Sequence, residues 1–342
     1  MAVILLSLIV LLILQKLVLE RRSWAIQQAS DRYAKALVDG TRPEDLPVDP
    51  RRLIERRALA RALGAYGADI ATGQLRSAPW YGELVRRLQR DAVHREWGGR
   101  VAAFEMLGDL GAAELRPFLE AAARREKHPQ AYAACLGCLA RFTDQASGLA
   151  SLWSEVRENP PLSGSFNEGL FRTAIAALIR RASEDAAAGA VRRLLADANP
   201  HDPLTLDVIS AVGKSGLTAL VPQLAGLCAP PEAPKSLRIA CVRAIGTLQP
   251  DHPLLLGALT DRDWEVRAMG AKYLRGTAPG VIAALADCLT SPAFYVRYNA
   301  ASTLAGLGGQ GRAALERAQD SSDTFARDIS RYALRVLQVS HA

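Results

Sequence analysis

Three segments near the C-terminal end of the chain align without gaps, and each carries an arginine at the same place. These residues, Arg267, Arg297 and Arg327, stand 30 residues apart. In each segment an apolar residue precedes the arginine, a small residue follows three positions after it, and an apolar residue follows seven positions after it. These three positions lie on one face of a helix. A fixed period of about 30 residues predicts a stack of supersecondary units.

Looser copies of this pattern continue toward the N-terminal end and give about eight repeats in all. Each repeat predicts two helices, because a second amphipathic stretch follows the first, as in residues 281–289. Capping residues followed by proline mark helix starts at Ser291-Pro292 and Asp202-Pro203. The positions equivalent to Arg267 in the earlier copies are Arg100, Ala131, Phe171, Asp207 and Arg238.

The late repeats resemble the HEAT-repeat family, in particular its short repeats of the bilin-lyase type. Val266-Arg267, Val296-Arg297 and the pair Ala300-Ala301 match the core of the first helix, and Asp261 and Asp263 match the turn acids. The resemblance covers residues 97–337 and is specific in the last three or four repeats. It implies an all-α fold, a right-handed α-α superhelix (HEAT-type solenoid) that binds proteins along one face.

The resemblance also implies a structural role for the repeated arginines, which in such repeats pair with turn acids and carbonyls of adjacent units. Asp263 stands four residues before Arg267, a spacing that suits a local ion pair. The alternative is a ladder of cations that binds a ligand. The structural repeat positions are Arg100, Arg238, Arg267, Arg297 and Arg327.

Composition supports helices and argues against nucleic-acid binding. Alanine, leucine and arginine dominate while aromatic residues make up 6%, which favours helix over sheet. Residues 1–100 hold 17 Lys and Arg against 11 Asp and Glu, whereas the rest of the chain holds 25 against 24. A nucleic-acid binder would carry its basic excess on the body that grips phosphates. The basic N-terminal part fits contact with anionic lipid better.

The N-terminal segment predicts a transmembrane helix before the solenoid. Residues 2–14 are apolar apart from Ser7, and residues 17–19 extend the run to about 27 Å of helix, close to the thickness of a hydrocarbon core. A cleaved signal peptide is the main alternative, although no basic residue precedes the run and no small-residue cleavage site follows it. A buried or peripheral helix is the third possibility.

The charges that follow this run predict its orientation. Lys16, Arg21 and Arg22 all lie C-terminal to the span, so the positive-inside rule places the following domain in the cytoplasm. Five cysteines, an odd number, indicate a reducing compartment rather than a disulfide framework. We therefore expect a single-pass protein of the inner (cytoplasmic) membrane with its solenoid in the cytoplasm.

Residues 23–96 are the least repetitive and predict a basic helical connector and N-terminal cap between the anchor (residues 1–22) and the repeats (residues 97–339). A proline-rich acidic stretch, residues 42–50, precedes arginines on an otherwise apolar helix, and aromatic residues follow. Arginine with Trp and Tyr is typical of binding hot spots. A cap that shields the first repeat is the alternative, and both can hold. The candidate partner-binding residues are Arg52, Arg56, Trp80, Tyr81 and Arg87.

Motifs with possible chemistry are better explained by repeat packing. Cys135 and Cys138 form a CxxC, but no second ligand pair accompanies them, and Cys138 occupies the register of Leu274. Residues 306–311 satisfy GxGxxG but follow a predicted helix rather than a strand, which indicates an inter-helix turn. The five histidines are scattered. We therefore predict no catalytic, cofactor-binding or metal-ligating residue, no cofactor and no small-molecule substrate.

The sequence predicts a membrane-tethered scaffold rather than an enzyme. We predict that its partner is a protein held at the cytoplasmic face, for example a membrane enzyme such as a glycosyltransferase. The alternatives are a HEAT-like enzyme, similar to a bilin lyase or a DNA glycosylase, and a periplasmic adaptor if the leader is cleaved. The fold alone does not select among these functions.

Overall fold

A computed structural model describes residues 2–66, 75–159, 164–230 and 232–336. Within these ranges the chain forms α-helices joined by turns and short 3-10 segments, with no strand. The prediction of an all-helical, solenoid-like fold is therefore confirmed. The chain divides into two compact units, residues 1–142 and 143–342. The predicted boundaries at residues 22, 96 and 339 stay a prediction, and residues 337–339 lie outside the described ranges.

The described part of the first unit contains six α-helices. Helix α1 packs against α2, α2 and α3 pack against α4, and α6 packs against both α4 and α5. The buried side chains include Leu59, Leu84 and Phe104. The helices are α1 (Ala2–Val38), α2 (Leu53–Tyr66), α3 (Tyr81–Asp91), α4 (Trp97–Asp109), α5 (Arg116–Arg125) and α6 (Pro129–Arg141).

Helix α1 corrects the membrane prediction. The helix is continuous from Ala2 to Val38, and the side chains of residues 2–13 lie outside the described part. From Leu14 onward, charged residues such as Lys16 and Glu20 interrupt the apolar sequence. In the part of the chain that the structure describes, no helix combines the length and the apolar character needed to cross a membrane. The predicted single-pass location in the inner membrane is therefore wrong, and the transmembrane helix over residues 1–22 is not found.

The second unit contains twelve described helices in two layers. First helices of successive repeats pack side by side, α8 on α10, α10 on α12, α12 on α14, α14 on α16 and α16 on α18. Second helices pack behind them. The helices are α7 (Ala146–Glu158), α8 (Gly164–Arg181), α9 (Glu184–Ala196), α10 (Pro203–Ser215), α11 (Val221–Cys228), α12 (Lys235–Leu248), α13 (Pro253–Ala258), α14 (Trp264–Tyr273), α15 (Pro279–Asp287), α16 (Phe294–Gly306), α17 (Gly308–Ala318) and α18 (Thr324–Val336).

Small residues on the first helices lie where neighbouring helices pack closely. Gly270, Ala271, Ala300 and Ala301 are fully or nearly fully buried. A Cβ added at Gly213 would stand 2.9 Å from the Cα of Ala244 on the next first helix. Small side chains are therefore required at this layer, because a larger one would push adjacent helices apart.

The register of the repeats agrees with the template. Arg267 and the seven positions that correspond to it in the other repeats fall on eight different helices. These are the even-numbered helices from α4 to α18. Gly306 ends α16 and Gly308, with a positive φ of 70°, begins α17, so this glycine-rich segment is an inter-helix turn as predicted. A helix N-terminus preceded by another helix is not a dinucleotide-binding arrangement.

Candidate functional site

The aromatic residues predicted to bind a partner are in the core of the first unit. Trp80 and Tyr81 are 6% and 7% exposed. The Tyr81 hydroxyl donates a hydrogen bond to Oε1 of Glu114 at 2.7 Å. Burial and this bond to a carboxylate raise the pKa of Tyr81 well above its ordinary value. Both side chains therefore stabilise the unit from within.

The three arginines predicted with them also make local contacts. The guanidinium of Arg56 is nearly buried and donates to the carbonyl of Pro50 and to Oδ2 of Asp91, each at 3.0 Å. Arg87 donates to Glu83 at 2.6 Å, and the mostly exposed Arg52 lies 3.5 Å from Asp49. Partner binding by these five residues stays a prediction, but the structure does not present them as one exposed patch.

The repeated arginines share one contact, which runs backward to the connector before their own helix. Arg267 donates from Nη1 to the carbonyls of Asp261 and Arg262, at 2.7 and 3.1 Å. Arg297 makes the same pair of bonds to Ser291 and Pro292, at 2.7 and 2.9 Å. The equivalent acceptors for Arg327 are Ser321 and Ser322. Each arginine therefore closes the turn that leads into its helix.

Arg100 and Arg238 add carboxylates to this backbone contact. Arg100 forms a two-pronged ion pair with Glu126, at 2.6 and 2.8 Å. Arg238 donates to both carboxylate oxygens of Asp261, at 2.9 and 3.0 Å, and to Asp263. The expected local pair between Asp263 and Arg267 is not formed, because Asp263 instead faces the preceding repeat and pairs with Arg238.

Exposed aromatic side chains form a continuous band on the first helices of the last three repeats. They are between 36% and 59% exposed and lie on three neighbouring helices, α14, α16 and α18. The whole chain has 20 aromatic residues, so this band holds nearly a third of them in 69 residues. We call this band the aromatic strip; its members are Trp264, Phe294, Tyr295, Tyr298, Phe325 and Tyr332.

The rings of the strip contact one another within and between repeats. The ring of Trp264 stacks on that of Tyr295, with centroids 6.1 Å apart, which joins α14 to α16. Phe294 contacts Tyr295 edge-on and stacks on Tyr298 at 5.9 Å. Tyr298 lies 6.3 Å from Tyr332, which joins α16 to α18. These are favourable distances for aromatic pairs, so five of the six side chains, all except Phe325, hold one another in place.

A guanidinium is part of the same surface. The carbon at the centre of the Arg297 group lies 4.2 Å from the centroid of Phe325 and 5.8 Å from that of Phe294. The two bonds to backbone carbonyls fix this group, so it bridges the rings of two repeats. Cation–π contact adds to the order of the surface.

Two side-chain hydrogen bonds between repeats fix the relative position of helices that carry the strip. The side chain of Asn299 donates to the carbonyl of Ala268 at 2.8 Å, and the buried Thr303 donates to that of Ala271 at 2.6 Å. Both bonds join α16 to the backbone of α14. Because these bonds set the relative position of the two helices, they also fix the distance between the rings that the helices carry.

Sequence reasoning missed this surface, although the register contains the signal. The repeat template is defined by residues of the buried face, such as Val296 and Ala300. Tyr295 and Tyr298 stand one residue before and two residues after Val296, so at about 100° per residue they point away from that face. The sequence signal that could have predicted the strip is the presence of aromatic residues at positions outside the buried face.

The cysteine motif is buried, as predicted. Cys135 and Cys138 are essentially inaccessible, and the Cys135 thiol contacts the carbonyl of Leu119 at 3.3 Å. Burial raises the pKa of the Cys138 thiol well above its ordinary value, so it is a poor nucleophile and metal ligand. Within the described ranges, no group of three or more His, Cys, Asp or Glu side chains could hold a metal ion.

Comparisons with known proteins agree with the repeat assignment. A family model of HEAT repeats matches residues 232–304 and, in an overlapping match, residues 252–335. A search of curated proteins found no match.

Solved structures that match this chain include an engineered protein, which is 15% identical, with 92% of this chain and 94% of that chain covered and a TM-score of 0.36. The karyopherin Kap121p bound to the SUMO protease Ulp1p is 13% identical, with coverage of 86% and 32% and a TM-score of 0.38. Kap121p bound to Pho4p gives 13%, with coverage of 82% and 32% and a TM-score of 0.39. This chain therefore spans about a third of the karyopherin.

Proposed function

We propose that this HEAT-repeat chain is a protein-binding scaffold and that the aromatic strip is its docking surface. One observation carries the proposal: six partly exposed aromatic side chains form a contiguous, ordered band across three repeats. Contiguous exposed apolar surface marks interaction sites in soluble proteins.

The composition of the strip fits a protein interface. Tyr, Trp and Arg are the residues most enriched among those that dominate binding energy, and the strip combines all three with Phe. Truncating such a residue in an interface costs about 2 kcal/mol or more. Exposed rings add little to the stability of the core, so folding alone does not explain their presence.

The order of the strip supports tight binding. Immobilising a side chain on association costs about 0.5–1.5 kcal/mol each. The rings already stack, and the bonds of Asn299 and Thr303 hold α16 against α14. Much of this entropic cost is therefore incurred in folding, before a partner arrives.

Site-specific photocrosslinking in the cells of origin tests the proposal. A photoreactive phenylalanine analogue at Tyr295 would report contacts of the strip, and the same analogue at Gln310 of α17 is the matched control, since both side chains are exposed. We expect a discrete protein adduct from position 295 that is absent from position 310. Adducts that are equal at both positions, or absent at both, would contradict the assignment of the strip.

A further inference from the structure

We infer that the partner segment bound by the aromatic strip is acidic. This inference rests on the proposed function and adds the charge of the partner. Its basis is a set of cationic side chains around the strip that have no carboxylate within ion-pair distance, while the two carboxylates at the start of α14 are already paired.

The carboxylates at the start of α14 are occupied by the preceding repeat. Glu265, which neighbours Trp264, pairs with Lys235 at 2.7 Å. Asp263 pairs with Arg238 and lies 3.6 Å from Arg262. These two carboxylates are therefore already neutralised by ion pairs and do not neutralise the cations beside the strip.

The cations beside the strip have no such partners. Among the described residues, no carboxylate lies within 4.0 Å of a cationic nitrogen in this set, and two acids of this part of the chain, Asp323 and Asp328, form no ion pair. Two of the set, Arg331 and Arg335, are exposed on α18, one residue before and three residues after Tyr332. The set consists of Arg297, Arg327, Arg331 and Arg335.

Helix α18 concentrates this charge. Arg327, Arg331 and Arg335 are spaced four residues apart and therefore lie on one side of the helix. Like charges at this spacing repel one another and destabilise a helix. A bound carboxylate removes that repulsion, and guanidinium groups can receive it through two parallel hydrogen bonds.

The aromatic rings and the arginines of α18 together determine which kind of partner segment fits this surface. Apolar or aromatic side chains of the partner rest on the rings, while its Asp and Glu side chains reach Arg331 and Arg335. A single-stranded nucleic acid also stacks on aromatic rings near cations. The chain beyond residue 100 holds 25 basic and 24 acidic residues, which does not provide the extended basic groove that follows a phosphate backbone.

Peptide selection on the full-length protein tests the inference. The probe is a random 12-residue peptide library displayed on phage, panned on the wild-type protein and counter-selected on Tyr295→Ala/Tyr298→Ala. We expect the strip-dependent peptides to carry a net negative charge and an aromatic or apolar residue. Synthetic versions of them should bind more weakly as salt increases.

Charge reversal then identifies the cations. In fluorescence anisotropy, Arg331→Glu/Arg335→Glu should weaken binding of the selected peptide at least about tenfold, which corresponds to about 1.4 kcal/mol. The matched control is Arg57→Glu/Arg61→Glu, which reverses two exposed arginines at the same spacing on α2 and should change binding less than about twofold. Circular dichroism verifies that both variants are folded.

The outcomes separate the two proposals. Strip-dependent peptides that are neutral or basic, or that bind Arg331→Glu/Arg335→Glu normally, would overturn the acidic partner and leave the docking surface intact. An oligothymidylate that binds the strip more tightly than any selected peptide would replace the protein partner with a nucleic acid. Selection of no strip-dependent peptide would count against the docking surface itself, and the inference would be lost with it.

Discussion

Aromatic side chains are used in opposite ways in the two halves of this molecule. Up to Phe171, eight aromatic side chains in the described part of the chain are buried, among them Trp80, Phe104 and Trp153. From residue 172 to residue 336, no aromatic side chain in the described ranges is buried, and six of the seven present belong to the strip. The late repeats therefore have an aliphatic core, whereas the earlier part relies on aromatic rings.

Regular stacking explains the difference. In the late repeats, alanine and glycine at the small positions let helices approach closely, and Val, Leu and Ile fill the remaining space. The earlier copies of the repeat are looser, so larger rings such as Phe104 fill less uniform gaps. A regular core leaves aromatic residues free for the surface, where they can serve binding.

The largest expected effect comes from exchanging one aromatic residue in each half for alanine. Trp80→Ala should lower the free energy of unfolding by about 3–5 kcal/mol, because it removes a large buried ring. Tyr295→Ala should change it by less than about 1 kcal/mol, because that ring is mostly exposed. Denaturant titration of both variants provides the measurement. Similar losses in the two variants would remove the distinction between the halves.

The two kinds of arginine contact predict the next effect. Arg238→Ala should lower the free energy of unfolding by about 2–3 kcal/mol, because it removes two of the three hydrogen bonds of the partly buried Asp261 carboxylate. Arg327→Ala removes bonds to two backbone carbonyls near solvent and should cost about 1 kcal/mol. Denaturation midpoints measured on both variants should preserve this order; the reverse order would mean that the carboxylate contacts contribute little.

Overpacking tests the aliphatic core directly. Ala301→Leu should destabilise the protein by about 1–3 kcal/mol, because the residue is fully buried and a larger side chain would overpack the core. The neighbouring Ser302→Leu is the control, since this side chain is only half-buried and should be tolerated within about 0.5 kcal/mol. Thermal melting of both proteins gives the comparison, and an unchanged melting profile for Ala301→Leu would show that the register is misassigned.

Acid sensitivity gives the smallest expected effect and samples both halves. Burial raises the pKa of Glu126 and of Asp261, but hydrogen bonds from Arg100 and Arg238 outweigh it and hold both values below the ordinary range. Because the folded-state pKa values are lowered, these carboxylates stabilise the fold above about pH 4.5 and lose that contribution as pH falls through the folded values.

Thermal midpoints recorded from pH 6 to pH 3 check this dependence. Glu126→Gln and Asp261→Asn should each have a lower midpoint than the wild type at pH 6, and the difference should shrink on acidification. The loss should begin at higher pH for Glu126, whose ordinary pKa is 4.5, than for Asp261, at 3.8. Differences that stay constant across this range would show that neither ion pair is linked to folding.

The repeats were predictable from the sequence because their residues recur. Arg267, Arg297 and Arg327 share one spacing, so a single register locates the buried Val266, Val296 and every helix between them. Trp80 occurs once, outside any register, and nothing local to it indicates that it is buried. The contacts of Tyr298 with Tyr332 depend on the distance between helices, which periodicity alone does not give.

The backward contact of the arginine has a consequence for how such an array can evolve. Arg267, Arg297 and Arg327 each bind main-chain oxygens of the turn before their own helix, and every residue type supplies those oxygens. A repeat of this kind can be duplicated, deleted or exchanged as a module without losing its contact. Arg238 depends on Asp261 and Asp263 in the next repeat, so a gene rearrangement at that junction must carry both partners. Recombination should therefore be easier to accommodate after α14 than before it.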